Sequence, residues 1–425
     1  MPRRLRLLLL VGGIALGALA FGNPAQAAVQ TLVFRSSPIV LKPYEVAQSV
    51  RLADSPSVDG YVVGMTAEPV DADGNVLAMN RVMLHHVVFA KLGAPDYTCG
   101  AMSTFPTERF YATGEEHTGI QLPAGYGYPN KGSDHWGLLY MLMNHHNMKE
   151  TVYIRYTVQY VTGEALTPVR PVWLDIHNCS SDPVFDVPGT GGPGSSYSRH
   201  TDFTMPQSGH LVWGGGHLHG GGLRLELSDR GCNRTVFTSL PTWGSMMPQP
   251  IMHEPGPMHM SAFSSTTGIP VAAGHVLRLK AVYGNSYPHT RVMGILLLYF
   301  APGPVTGCEP VPSLDIDLGT PGKPPRVLLP LLKRPRGPME QNIHGTWVGD
   351  YRYGAQRVTI ERGTTFNWRF IGKVAHNVTL ATGPFGFSSS TLLTGTFSHR
   401  FTRPGVYKLF CSIHPTRMTE LIRVR

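Results

Sequence analysis

Short runs of β-branched, aliphatic and aromatic residues, each ended by turn residues, occupy most of the chain, and no amphipathic helical stretch longer than a few turns interrupts them. Runs of this kind pack as strands. Gly60–Met65 leads to a turn at Asp71-Ala-Asp-Gly-Asn75 and then to the run Arg81–Ala90. Leu138–Asn144 and Thr151–Tyr160 read as further strands, and Gly294–Phe300 as a buried one. From Ala301 to Glu340 the pattern dissolves into Pro-rich sequence, including Leu328-Leu-Pro-Leu-Leu-Lys-Arg-Pro-Arg-Gly-Pro338. That stretch is expected to be a semi-extended, solvated linker. Beyond it, Arg357–Phe370 reads as two strands joined by a Gly turn. The fold class is all-β.

Length and composition bound this picture. A chain of 425 residues holds two or three domains, and 42% hydrophobic content is ordinary for globular cores. The net charge of +9 is inflated by Arg3, Arg4 and Arg6 and by the basic linker, and no basic stripe marks a folded module, so nucleic acid is not an expected partner. Those arginines, the apolar run Leu7–Phe21 and Ala25-Gln-Ala27 form the three parts of a secretory signal peptide, cut after Ala27. The twin-arginine and general export routes both stay open. The mature chain is expected to be secreted or periplasmic, without a membrane span. In such a compartment 19 histidines and 17 methionines suggest copper, because imidazole suits both copper states and thioether sulfur favours Cu(I). Five cysteines leave one unpaired in an oxidising environment.

The histidines are patterned. In Trp213-Gly-Gly-Gly-His217-Leu-His219-Gly-Gly-Gly, two imidazoles two residues apart share one strand face, and the glycines let the backbone bend sharply around them. His85 and His86 are adjacent, so a regular strand sends them to opposite faces unless it twists or bulges there. His145 and His146 end another strand.

His85-His86, Phe110-Tyr-Ala-Thr-Gly, Leu122-Pro-Ala-Gly-Tyr-Gly-Tyr128, His145, His217-Leu-His219 and Met293 follow one another in an order that resembles the copper type II, ascorbate-dependent monooxygenases. That family includes peptidylglycine α-hydroxylating and dopamine β-monooxygenases. The resemblance runs from about residue 58 to 302 and implies two jelly-roll-like β-sandwiches, 28–165 and 166–302, each presenting one type 2-like copper across a solvent cleft. By position His85, His86 and His145, with His146 as an alternative to His145, would hold an electron-storing copper. His217, His219 and Met293 would hold the catalytic copper that binds dioxygen. Three positions depart from the family: Gly215 replaces an arginine that holds a peptide carboxylate, Leu297 a tyrosine and Met143 a glutamine. Peptidylglycine is therefore not the expected substrate. The part around Asp-Gly-Asn75 and Leu84-His-His also resembles plant stress up-regulated Nod proteins. The expected disulfides are Cys99 with Cys179 and Cys232 with Cys308, one per domain, although four cysteines permit other pairings. Met252-His253-Glu-Pro-Gly-Pro-Met258-His259-Met260 reads as an exposed loop, with Cu(I) collection as the alternative.

Ala375-His376-Asn and Phe410-Cys411-Ser-Ile-His414-Pro-Thr-Arg-Met418 supply one thiolate, two imidazoles and a thioether, the ligand set of a blue-copper (type 1) site. The thiolate gives the odd cysteine its task. Residues 341–425, after a linker over 303–340, resemble the plastocyanin and amicyanin cupredoxins, which implies a Greek-key β-sandwich. The expectation is an exported copper-dependent monooxygenase fed with electrons by its own blue-copper domain. It would require an external reductant and an unknown small-molecule or peptide-like substrate. The alternative is a non-catalytic copper-binding or electron-transfer protein on the same scaffold.

Overall fold

A computed structural model describes residues 28–100, 107–180, 182–243, 256–319 and 332–425. The expected signal peptide and the first half of the Met- and His-rich loop lie outside these residues. The described chain is all-β, arranged in three sandwiches.

The first sandwich packs a seven-stranded sheet on a four-stranded one. Thr151–Tyr160 shows why it forms: Val152, Ile154, Tyr156, Val158 and Tyr160 are all buried, while the residues between them are partly or fully exposed. The opposite sheet runs in the order Val46–Ala53, Trp136–Asn144, Val82–Leu92, Thr107–Gly114. It carries His85 and His86. Thr167–Pro168 pairs with Tyr126–Gly127, so the first sandwich reaches slightly past residue 165.

The second sandwich has a five-stranded sheet ordered Arg170–Asp175, Gly294–Pro302, Gly209–Leu218, Ala262–Val271 and Asp315–Asp317, facing a four-stranded one. Its strand Gly294–Pro302 is apolar on both sides. Leu296, Leu298 and Phe300 enter the sandwich's own core, while Ile295, Leu297, Tyr299 and Ala301 join a core continuous with the first sandwich. The Tyr299 hydroxyl donates to the Phe110 carbonyl and the Arg109 guanidinium lies 4.5 Å from the Trp173 ring centroid, both across this junction. This face of the strand is packed against the first sandwich.

The disulfides pair Cys99 with Cys179 and Cys232 with Cys308. They are not one per domain. Cys99–Cys179 staples the first sandwich to the second, and Cys232–Cys308 ties the second to the chain that leaves it. That departing chain is not wholly solvated either: Val311 and Leu314 pack on the second core, and Asp315–Asp317 adds an edge strand beside Ala262–Ser264. Leu332 packs against Met83 and Met143 of the first sandwich.

The third sandwich has a five-stranded and a four-stranded sheet around Trp368, Tyr353, Tyr407 and Phe401. It is docked on the second sandwich. Asp186 accepts hydrogen bonds from the backbone and hydroxyl of Ser388, Gly386 N–H donates to the Pro188 carbonyl, and the Thr290 hydroxyl donates to the Leu380 carbonyl.

Candidate metal centres

His376 ends the strand Thr365–His376, and Cys411 follows the strand Gly405–Phe410. The loop from Cys411 then closes on itself: His414 N–H reaches the Cys411 carbonyl, Met418 N–H the His414 carbonyl, and Cys411 N–H the Met418 carbonyl. His376 Nδ1 and His414 Nδ1 come within 3.1 Å of each other, and Cys411 Sγ lies 3.6 Å from His414 Nδ1. His376, Cys411 and Met418 are fully buried. Burial pushes the His414 pKa down to about 4, with the neighbouring His376 and Arg417 adding to the effect, and burial lowers His376 too. Burial raises the Cys411 thiol against hydrogen bonds that lower it. Two neutral imidazoles and a thiol crowded together, with Asp350 nearby at 3.9 Å from His376 Nε2, are the donor chemistry of a bound soft cation. The group has the arrangement of a type 1 copper site. Asn377 braces it, donating its N–H to Cys411 Sγ at 3.4 Å and exchanging hydrogen bonds with Ser412.

The sandwich histidines meet at the junction of the first two domains. The register between Val82–Leu92 and Trp136–Asn144 shifts between Leu84 and His86. That bulge turns both imidazoles the same way, and His85 Nδ1 and His86 Nδ1 lie 3.1 Å apart. His217 and His219 come from the second sandwich to face them. The His85 and His219 ring centroids are 4.8 Å apart and those of His217 and His219 5.1 Å. Gly114, paired with His86, permits the approach, since a Cβ there would stand 2.6 Å from the His85 carbonyl and 3.0 Å from the His217 ring.

Each second-sandwich imidazole is oriented by a partner. His217 Nδ1 donates to both oxygens of Glu116 at 3.1–3.2 Å, which leaves Nε2, buried and without a hydrogen bond, as the atom able to ligate. His219 Nδ1 donates to the Arg291 carbonyl at 3.1 Å, and its N–H to the Tyr283 hydroxyl. Tyr283 in turn donates to the Met293 carbonyl. Leu218 pairs with Gly294, which sets Met293 beside His219. Burial lowers His86 to about 4, helped by the charge of His217. For His217 itself burial also lowers, but the Glu116 carboxylate outweighs it and the net shift is upward.

His145 is buried and directly follows the strand Trp136–Asn144. Its N–H bonds the Arg81 carbonyl and its Nδ1 donates to the Met79 carbonyl at 2.7 Å. His146 is half-exposed and lies 3.3 Å from Glu150. The His85–His86 pair faces His219 and His217 across the junction. Among the described residues three ligand atoms of His, Cys or carboxylate type lie within 4.8 Å of one another in only two groups. One is His376, Cys411 and His414. The other is the Cys232–Cys308 disulfide with His275 beside it. The four junction histidines do not form such a group.

The remaining candidates are packed. A Cβ on Gly215 would stand 2.7 Å from the Trp213 ring, and Leu297 lies in the shared core. Met260 is buried and His259 lies beside Asp317. Glu116 and Arg291 carry no motif in the sequence. Their only hint is a Glu-Glu pair directly after a strand.

The chain matches the Stress up-regulated Nod 19 family model over residues 140–302. That span holds His145, His217, His219 and Met293, whereas the Asp-Gly-Asn turn and His85-His86 precede it. No monooxygenase family is matched. No curated protein matches the chain. Among solved structures it is similar to a purple cupredoxin from Nitrosopumilus maritimus, with 31% identity and a TM-score of 0.18, covering 20% of this chain and all of that one. Auracyanin from Roseiflexus castenholzii matches at 16% identity and TM-score 0.17, over 19% of this chain and 94% of that one. A copper-containing nitrite reductase from Thermus scotoductus matches at 15% identity and TM-score 0.18, over 56% and 59%.

Proposed function

We propose that the protein is an extracytoplasmic copper oxidoreductase in which the C-terminal module passes single electrons to a copper held between the first two sandwiches, where dioxygen is used to hydroxylate an organic substrate. The reading rests on one observation: a thiolate set and an all-imidazole set coexist in one chain, and the second offers His217 Nε2 buried and without a hydrogen bond. Copper bound there would supply one-electron chemistry and an open position for dioxygen.

The chain's own residues do the rest. His376, Cys411, His414 and Met418 would hold the blue copper in a buried, pre-organised loop. His85, His86, His217 and His219, with Met293 beside them, would hold the second copper, and Glu116 fixes the tautomer of His217. Two disulfides fit an oxidising compartment, and no helix among the described residues is long and apolar enough to cross a membrane. An external reductant must recharge the blue copper.

Copper content and spectra test this reading. About two coppers per chain are expected, one with an intense thiolate-to-copper absorption and one a normal Cu(II). Reductant-driven dioxygen uptake should then fall in His217→Ala, and equal uptake in both proteins would sink the proposal. A second reading, electron transfer without hydroxylation, is favoured by the ring of Trp213 against Gly215 and by the burial of Leu297, which leave no space for the peptide contacts made elsewhere.

A further inference from the structure

Arg291 lies between the two centres, and every polar group it owns that the structure pairs is committed to one side or the other. Its backbone N–H donates to Asp186 at 2.9 Å, and its carbonyl accepts from His219 Nδ1 at 3.1 Å. Its guanidinium donates through Nη1 to the Ser389 carbonyl of the third sandwich at 2.9 Å and through Nη2 to Asp182 at 2.7 Å. The residue holds this position with φ at +54°, a left-handed conformation that favours glycine and that an arginine adopts only when its surroundings over-determine it.

The chain of contacts continues on the far side. Ser389 N–H donates to the Val378 carbonyl at 2.8 Å, and Val378 N–H donates back to the Ser389 hydroxyl at 2.9 Å. Val378 is preceded by Asn377, whose N–H reaches Cys411 Sγ. Four hydrogen bonds and the intervening covalent segments therefore join the thiolate ligand to the imidazole ligand. The charge of Arg291 is also felt at Cys411. Asp186 locks the joint from below, accepting from Arg291 N–H on its own sandwich and from Ser388 on the third.

We propose that Arg291 is the positioning residue that seats the cupredoxin on the second sandwich and couples Cys411 to His219, so that electrons pass within one chain. This rests on the function proposed above. One electron leaves the centre held by Cys411 and one arrives at the centre held by His219. No bond forms or breaks and no proton moves, because each hydrogen bond keeps its donor. The electron enters from an external small-molecule reductant such as ascorbate. The linker thus serves as a tether for a docked module, not as a swinging arm.

The test uses the full mature chain as wild type, Arg291→Gln, Arg291→Lys and Asp186→Asn, with Arg278→Gln as a surface control whose partner is Asp202. In copper-free protein, small-angle scattering and protease cleavage of the linker read docking alone. Arg291→Gln and Asp186→Asn are expected to give a larger radius and faster cleavage, Arg291→Lys a smaller change, and Arg278→Gln none. In copper-loaded protein without oxygen, a flash-generated reductant bleaches the blue band, and its recovery reads transfer to the second centre. Recovery in wild type should be independent of protein concentration, and at least tenfold slower in Arg291→Gln with an unchanged blue spectrum and copper content. Recovery that scales with concentration, or an unchanged rate in Arg291→Gln, overturns the coupling. Unchanged scattering and cleavage overturn the joint. If wild type shows no recovery while the docking readouts respond as expected, the proposed function has failed and the joint stands.

Discussion

Glu116→Gln is the perturbation that best isolates the junction centre. Glu116 is buried, and its carboxylate accepts the Nδ1–H of His217 and the N–H of Gly114 together. Glutamine has the same size but only one acceptor oxygen. If that oxygen keeps the Gly114 N–H at 2.9 Å, the amide nitrogen can be left facing a second donor, the His217 Nδ1–H. If it turns to His217, the Gly114 N–H is orphaned. Either way one buried donor is poorly satisfied, at a cost of about 1–3 kcal/mol in stability. Losing the carboxylate also makes His217 a poorer ligand. Outer-sphere carboxylates of this kind contribute about 10–100-fold to metal affinity, equal to about 1.4–2.7 kcal/mol. The assay is a competitive chelator titration, following the normal Cu(II) resonance while the blue absorption serves as internal reference. The normal copper should leave at lower chelator concentration in the variant, with the blue copper unmoved. Equal retention of both coppers in the two proteins would refute the assignment of Glu116 and, with it, the placement of a metal at His217 Nε2.

The geometry carries three further expected outcomes. Cys411→Ser should abolish the blue absorption and leave the normal Cu(II) signal, as optical and resonance spectra of the same sample would show. His145→Ala should change the affinity for the normal copper by less than about a factor of two, well below the loss from an orienting partner, because the proposed centre does not draw on His145, whose Nδ1 bonds the Met79 carbonyl. His399 stacks on Phe387 with centroids 3.8 Å apart, and burial lowers its pKa from 6.5 to about 4. Folding therefore favours its neutral form. Its contribution is complete above pH 6.5 and is lost as pH falls toward about 4, by at most about 1.4 kcal/mol per unit and less for its solvent-facing part. His399→Phe should flatten the acid side of the stability curve measured by denaturant titration.

How far the sequence carries the structure depends on whether a contact is local. The loop from Cys411 to Met418 is set by short-range hydrogen bonds, so spacing alone exposes its ligand set. The alternation through Val152, Ile154, Tyr156, Val158 and Tyr160 likewise marks its inward face directly. The histidines behave differently. His85 and His86 share a direction only because an unpaired residue is inserted between Leu84 and His86, and nothing in the local residue types announces that bulge. Assigning His145 to the same centre follows the order of motifs along the chain. Strand register places its backbone beside Arg81. Glu116 and Arg291 gain their roles across domain boundaries, from partners 101 and 98 residues away in sequence.

The continuous apolar run Gly294–Phe300 requires cover on both faces, but its residue types do not say what supplies the second cover. In the fold it is the first sandwich itself, with Leu297 and Tyr299 in the shared core. Packing the two sandwiches together draws His217 and His219 against His85 and His86, so imidazoles that the motif order assigns to separate centres face one another across the junction. The Cys99–Cys179 bridge holds that junction covalently. A centre built across two domains is emptied or distorted by anything that parts them. Reducing the disulfide should therefore weaken the junction copper before the blue one, whose ligands all come from the third sandwich.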